Sequence, residues 1–196
     1  MSPSTPHNEA RERVLVAAEQ LFGEKGYGPI TLREIGLRAG IHHSSVYHHV
    51  PGGKEELFIE VMERIFARHH AGLTAALQAA GPHIRPQLYA LADWLLGQPP
   101  LDLVRMEYVD MPAISPHLAA RLSEAAYMAL QMPLAAALTA AQARGEIAHD
   151  DFVLASGGMI GMIESLFAVS EQTAGKPRQV IAHRLLDMML DGLRPR

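Results

Sequence analysis

The chain predicts an all-α fold: a three-helix N-terminal head with a helix-turn-helix, joined by a long helix to a larger helical body. Three observations predict it. Apolar residues recur at helical spacing along most of the 196 residues, and no run alternates with period two. A capping box, a glycine turn and a second short helix follow one another within residues 30–57. Prolines and glycines then punctuate the chain at helix-length intervals, with no repeat of fixed period. A 48% hydrophobic composition is ample for a core.

The opening residues, MSPSTPHNEARER, lack an apolar signal core and read as a short disordered arm. A first helix is expected over about Glu9–Glu24, with Val14, Ala17, Ala18, Leu21 and Phe22 on one stripe. Gly26 is its C-cap candidate, and Tyr27 is expected to pack back on the head. Thr31-Leu32-Arg33-Glu34 is a capping box: the Thr31 hydroxyl accepts from the Glu34 N–H and the carboxylate reaches back. It opens a second helix whose Leu32, Ile35 and Ala39 are available for burial. Gly40 turns the chain, and a third helix is expected over about His43–His49 with Val46 inward. Pro51-Gly52-Gly53 ends it.

A fourth helix is expected from Lys54 to as far as Ala80, because Leu57, Val61, Ile65 and Phe58, Met62, Phe66 form adjacent columns. At 1.5 Å per residue it would span roughly 39 Å, enough to link head and body. Gly81-Pro82 stops it. Further helices are expected at about 84–98, 101–111, 116–144, 151–173 and 177–193, separated by proline or glycine breaks. Pro133, inside one of them, removes a hydrogen bond and should kink it. The expected domains are 8–54 for the head and 55–196 for the body.

Residues 152–169, FVLASGGMIGMIESLFAV, approach transmembrane length. Glu164 near the centre would cost about 2.5–3.5 kcal/mol in a bilayer, and no basic cluster flanks the segment. A helix buried in an interface is the better reading, with the Gly157/Gly161 pair allowing close approach. Ile181, Leu185, Met188 and Met189 supply a second stripe.

The pattern Thr31…Ile35…Ala39-Gly40-Ile41…Val46-Tyr47-His48-His49-Val50-Pro51…Lys54-Glu55-Glu56-Leu57 resembles the DNA-binding head of the TetR family of bacterial one-component transcription regulators. The resemblance runs from about Arg13 to Phe58, and beyond it only length and helical character are similar. It implies a homodimer, with the last two long helices of each subunit forming a four-helix interface. From the residues themselves, His43, Ser44, Ser45, Tyr47 and His48 on the recognition helix are candidates for phosphate or base-edge contacts. Lys54 sits at a helix N-terminus that favours a phosphate. Thr31 and Arg33 are placed to hold the opposite backbone wall.

Charge supports this weakly. Residues 1–54 carry six basic and five acidic side chains; the remainder carries 11 and 16. The motif, not a basic patch, points to DNA. In the body, Trp94, Met106, Tyr108, Met111, Tyr127, Met128 and Met132 are candidates for an apolar ligand site, since methionine adapts its shape and Trp and Tyr pair an apolar face with a polar tip. Plain core packing is the bland alternative for each.

The His42-His43, His48-His49 and His69-His70 doublets do not chelate well, because neighbours on a helix point about 100° apart, so no metal is expected. His69 reads as a hydrogen-bonded core histidine. No nucleophile motif, P-loop or cysteine is present, and Glu146-x-x-His149 stands alone where a di-iron bundle needs two such motifs. The reading is a ligand-responsive DNA-binding regulator, a repressor released from a palindromic operator by a small hydrophobic effector. It is expected to be cytoplasmic, without a cofactor and not an enzyme. The alternatives are a helical DNA-binding or structural protein with no ligand, and a helical-bundle enzyme.

Overall fold

A computed structural model describes residues 6–148 and 151–193; the side chains of residues 6, 7, 43 and 44 are not described. Among the described residues every regular element is helical: α1 Pro6–Lys25, α2 Leu32–Ala39, α3 His43–His49, α4 Gly53–Ala79, α5 Ile84–Leu96, α6 Leu103–Arg105, α7 Pro116–Ala126, α8 Met132–Ala143, α9 Phe152–Ser165, α10 Glu171–Ala174 and α11 Arg178–Gly192. Three helices were expected in outline and differ in detail. α1 is already helical at Pro6, three residues before the expected start and within the stretch read as a disordered arm. The stretch read as one helix over 101–111 is instead the single turn α6, a π-helical turn over Met106–Asp110 and a 3-10 turn over Met111–Ala113. The helix expected over 151–173 ends at Ser165, and a 3-10 turn over Leu166–Ala168 leads on to α10, which Ser170 caps.

The chain forms two compact units. One comprises residues 1–65 with 104–123, the other 66–103 with 124–196. α4 contributes to both. In the first unit α1, α2 and α3 pack on one another. Val14, Ala18, Leu21 and Phe22 of α1, Ile35 of α2, Val46 of α3, and Leu57 and Phe58 of α4 are all buried. Tyr27 packs back as expected, its ring 5.0 Å from Phe58, while Phe22 meets Phe58 edge-on at 5.1 Å.

Residues 104–123 join this unit through polar contacts. Arg105 Nη2 donates to the Phe22 and Gly23 carbonyls, 3.2 Å each, at the C-terminal end of α1 where a cation is favoured. Asp110, 3% exposed, accepts from the Tyr27 N–H at 2.8 Å and lies 3.4 Å from Arg105 Nε. Gly26 makes room for this carboxylate: its φ is +78°, and a Cβ there would stand 2.9 Å from Asp110 Oδ1. Arg121 pairs with Glu63 at 2.6 Å, and the Ser115 N–H donates to Glu55, which holds that carboxyl below its usual range.

In the second unit α5 packs on α11, α8 and α9, and α8 on α9. Leu88, Leu91, Leu95, Leu134, Leu138, Met159, Ile163 and Leu186 are buried there. The stretch expected at 116–144 is helical throughout but not uniformly α. Tyr127–Gln131 is a π-turn, with the Met132 N–H reaching the Tyr127 carbonyl. The same arrangement precedes Pro112, where the Met111 N–H reaches Met106. In both cases the residue that closes the π-turn, Met132 or Met111, stands directly before a proline. Proline has no N–H to offer the carbonyl four residues back, and its ring collides with it in a tight ladder. Widening the turn by one residue removes both problems without breaking the helix. The kink expected at Pro133 thus takes the form of a π-bulge.

Of the Gly157/Gly161 pair, only Gly157 meets a neighbour in the chain: a Cβ there would lie 3.3 Å from Gln131 Oε1, whereas Gly161 faces open space. No helix among the described residues is long and apolar enough to cross a membrane.

Candidate nucleic-acid interface

The helix-turn-helix forms as its local sequence dictates. Thr31 is the N-cap of α2: its hydroxyl accepts from the Glu34 N–H at 3.2 Å, and its own N–H donates to Glu34 Oε2 at 2.9 Å. The Thr31 N–H and hydroxyl, both donating to Glu34 Oε2 at 2.9 Å, hold that carboxyl below the usual carboxylate range. Gly40 closes α2 at φ +65°, and the Ile41 N–H bonds back to Gly36 at 2.9 Å. His42 is the N-cap of α3, and its side chain does not cap the helix.

α3 divides cleanly into two faces. Val46, His49 and Val50 are buried, while Tyr47 is 61% exposed and His48 also faces solvent. Ser45 is half-buried. Thr31 and Arg33, at the start of α2, are exposed. The side chains of His43 and Ser44 lie outside the described residues. Lys54, expected to be offered to a phosphate, is engaged within the protein instead. Its Nζ donates to the Tyr27 carbonyl at 3.0 Å and the Gly28 carbonyl at 3.2 Å, and lies 4.0 Å from the centre of the Tyr27 ring. Partial burial lowers its pKa, and burial likewise raises that of Tyr27. Lys54 therefore ties the α1–α2 connection to the start of α4.

The candidate ligand residues divide between the two units. Met106, Tyr108 and Met111 belong to the first, and Trp94, Tyr127, Met128 and Met132 to the second. Met106 and Met111 are buried beside the Arg105–Asp110 contact, whereas Tyr108 is 77% exposed and Met128 half-exposed. Trp94, Tyr127 and Met132 are half-buried. A groove of about 450 Å³ in the first unit lies against none of these; Val16, Ala17 and Ala39 form its apolar wall.

His69 is buried as expected, but among the described residues its Nδ1 has no hydrogen-bond partner, so it is not the fully hydrogen-bonded core histidine anticipated. Burial, with Arg68 next to it, lowers its pKa to about 4. Sequence reasoning missed Asp110 as a buried anchor. Its partner, the Tyr27 N–H, lies 83 residues away in the chain, so no local spacing announces the contact. It also missed Glu164 as more than a polar interruption. Its carboxylate accepts from the Leu101 N–H at 3.2 Å, and burial with nearby Asp102 pushes its pKa up to about 7.

Two family models match. One, described as bacterial regulatory proteins of the tetR family, covers residues 14–61. The other, described as the C-terminal domain of AefR-like transcriptional repressors, covers residues 88–191. The HTH-type transcriptional regulator LmrA of Bacillus subtilis is 39% identical over 59 residues, 30% of this chain and 31% of LmrA. The HTH-type transcriptional repressor NemR of Escherichia coli is 31% identical over 98 residues, 50% of this chain and 48% of NemR. The chain thus matches only 31% to 48% of these curated relatives' length. Among solved structures, the fatty acid degradation regulator FadR of Bacillus halodurans superposes with a TM-score of 0.75 at 18% identity, over 100% of both chains. Reduced E. coli NemR gives 0.73 at 18%, over 92% of this chain and 96% of that one. These two likenesses show the fold. With one matched model over the helix-turn-helix and another over more than half the chain, this protein belongs to the TetR family of bacterial regulatory proteins.

Proposed function

We propose that the protein is a homodimeric repressor that holds a palindromic operator and is released by a small, largely apolar effector. The observation that carries the DNA half is the two-faced α3: Val46 and Val50 anchor it, and Tyr47 and His48 are left to solvent on one side. Such a helix fits a major groove, with Tyr47, His48, Ser45, His43 and Ser44 reaching bases or phosphates. Thr31 and Arg33 take the flanking backbone. Lys54 takes a phosphate only by leaving the Tyr27 and Gly28 carbonyls, or braces the head without touching DNA. A reading as a regulator rather than an enzyme agrees with both matched families, and action on DNA implies the cytoplasm. The proposed domains are a DNA-binding head over 8–54 and a body over 55–196 that binds the ligand and dimerises.

Two operator half-sites one turn apart require two recognition helices about 34–36 Å apart. α9 and α11 supply a surface for the second copy. Leu154, Gly158, Gly161 and Ser165 form an exposed stripe on α9 at i, i+4, i+7 and i+11, and Val180 and Met188 are exposed on α11. For the effector, Trp94, Tyr127 and Met132 of the second unit are the proposed contacts. Repression fits the description of the matched C-terminal family and the printed name of NemR. Release requires the effector to bind the DNA-incompetent form more tightly, since otherwise no equilibrium shifts.

The direct test is Tyr47→Ala. The side chain is exposed, so folding should be unchanged, while operator affinity should fall by about 1–3 kcal/mol. A mobility-shift titration identical to wild type would remove Tyr47 from the interface.

A further inference from the structure

Three polar side-chain atoms in the second unit are buried and lack a protein partner among the described residues: His69 Nδ1 on α4, and Gln87 Oε1 and Trp94 Nε1 on α5. His69 is only 2% exposed. Buried polar groups are almost always paired, and leaving one unpaired costs about 1–3 kcal/mol. The His69 and Trp94 nitrogens call for an explanation.

The Trp94 ring rests against Gly72: a Cβ at that glycine would stand 1.9 Å from Trp94 Cζ2 and 2.2 Å from Cε2, the atom bonded to Nε1. Only glycine at 72 lets the indole lie there. His69 precedes Gly72 by three residues in α4, which places both on one helix face about one turn apart. The glycine that the indole covers therefore lies about one turn from His69 along α4. Gln87 is unlike them: its Oε1 is unpaired, but its Nε2 donates to the Gly81 carbonyl at 2.8 Å, so the amide already serves the α4–α5 turn.

The chemistry of the two groups defines what complements them. An indole N–H only donates. A neutral imidazole offers one donor and one acceptor. Burial keeps His69 neutral at ordinary pH. The matching ligand has an oxygen that accepts from Trp94, and a mostly hydrocarbon remainder. A carboxylate ligand would surrender its hydration with only neutral partners in exchange.

We infer that His69 and Trp94, over Gly72, form the polar recognition point of the effector site, selecting a neutral apolar molecule that carries a carbonyl or hydroxyl oxygen. This rests on the effector reading above. The Trp94 N–H donates to the ligand oxygen. His69 pairs with the same oxygen or with a hydroxyl on it. In the free protein both groups are a standing cost, which ligand binding removes.

The test has two arms on the full-length protein. In the first, calorimetry compares ketones with hydrocarbons of matched shape: acetophenone with isopropylbenzene, and 2-acetylnaphthalene with 2-isopropylnaphthalene, with 2-naphthoate as the charged control. The ketones should bind roughly tenfold or more tighter than their partners and than the naphthoate, and Trp94→Phe should erase that preference. In the second arm, ligand-free His69→Leu should melt about 2–4 °C higher than wild type, since an unpaired polar group is replaced by an apolar one. Equal binding of hydrocarbon and ketone, absence of ketone binding, or a lower melting temperature for His69→Leu would each overturn the inference; the last would show an imidazole satisfied by water. Operator release is followed in parallel. If another compound releases the operator equally from wild type, His69→Leu and Trp94→Phe, the effector reading stands and this site falls.

Discussion

At the scale of single residues, Glu164 shows how position changes the chemistry of a common side chain. It interrupts an apolar helix, is half-buried, and accepts one backbone N–H from Leu101. Asp102 next to that N–H adds negative charge and sits at φ +48°, a left-handed backbone that Asp tolerates better than most residues. A free glutamate titrates near 4.3, while Glu164 is pushed up to about 7. The folded protein therefore prefers the protonated acid. The contribution is fully present below about pH 4.5 and lost as pH rises through 7, leaving a cost of roughly 2–3 kcal/mol at pH 8 and above. Glu164→Gln keeps an acceptor for Leu101 and removes the charge. It should raise the melting temperature at pH 8.5 and leave it nearly unchanged at pH 4.5. An equal effect at both values would mean that Glu164 does not titrate as described. His69 works in the opposite direction: the unfolded chain takes up its proton first, so its contribution is present above about pH 6.5 and lost towards pH 4.

At the scale of elements, the segment 104–123 is held in the first unit by Asp110 and Arg105 as well as by the buried side chains of Met106, Met111, Ile114, Leu118 and Leu122. Asp110→Ala would leave the Tyr27 N–H without its acceptor and Arg105 without its carboxylate. The expected loss is about 2 kcal/mol, read by chemical denaturation, together with faster proteolysis within residues 104–123. Wild-type stability and protection would show that the buried apolar side chains alone hold the segment. Much of the element level was readable in advance. The capping box at Thr31, the turn at Gly40 and the ends of α3 depend on contacts three or four residues apart, which sequence spacing displays directly. The π-turns were half readable. Pro133 announced a disturbance, but its form depends on how the preceding turn is packed. The candidate ligand residues were not readable as a set. Tyr108 and Met128 share composition with Met106 and Tyr127, yet they point to solvent.

At the scale of the whole molecule, the proposed dimer explains apolar surface that the single chain leaves uncovered. Leu154 is 69% and Met188 71% exposed, on helices that otherwise bury Met159, Ile163 and Leu186. Gly161 provides a test that separates folding from association. A Cβ there meets nothing within the chain, so Gly161→Leu should fold normally. Across a dimer interface the same side chain would overpack and weaken association by about 1–3 kcal/mol. Light scattering over a micromolar dilution series should show the variant dissociating at higher concentration than wild type. Identical masses throughout would place the dimer contact elsewhere.

The sequence by itself determined the outlines of α3, α4, α5 and α11, the Thr31 cap, the Gly40 turn and the family resemblance of residues 13–58, because each rests on local periodicity and on chemistry between near neighbours. Only the tertiary structure decided that Lys54 is tied to the Tyr27 and Gly28 carbonyls, that Asp110 is buried against the end of α1, and that the Trp94 indole lies over Gly72. The partners in these contacts are 22 to 83 residues apart, or depend on which of several polar residues loses its water. Periodicity says that a face will be buried. It does not say what that face will meet, and for a polar group the partner decides both its charge and its use.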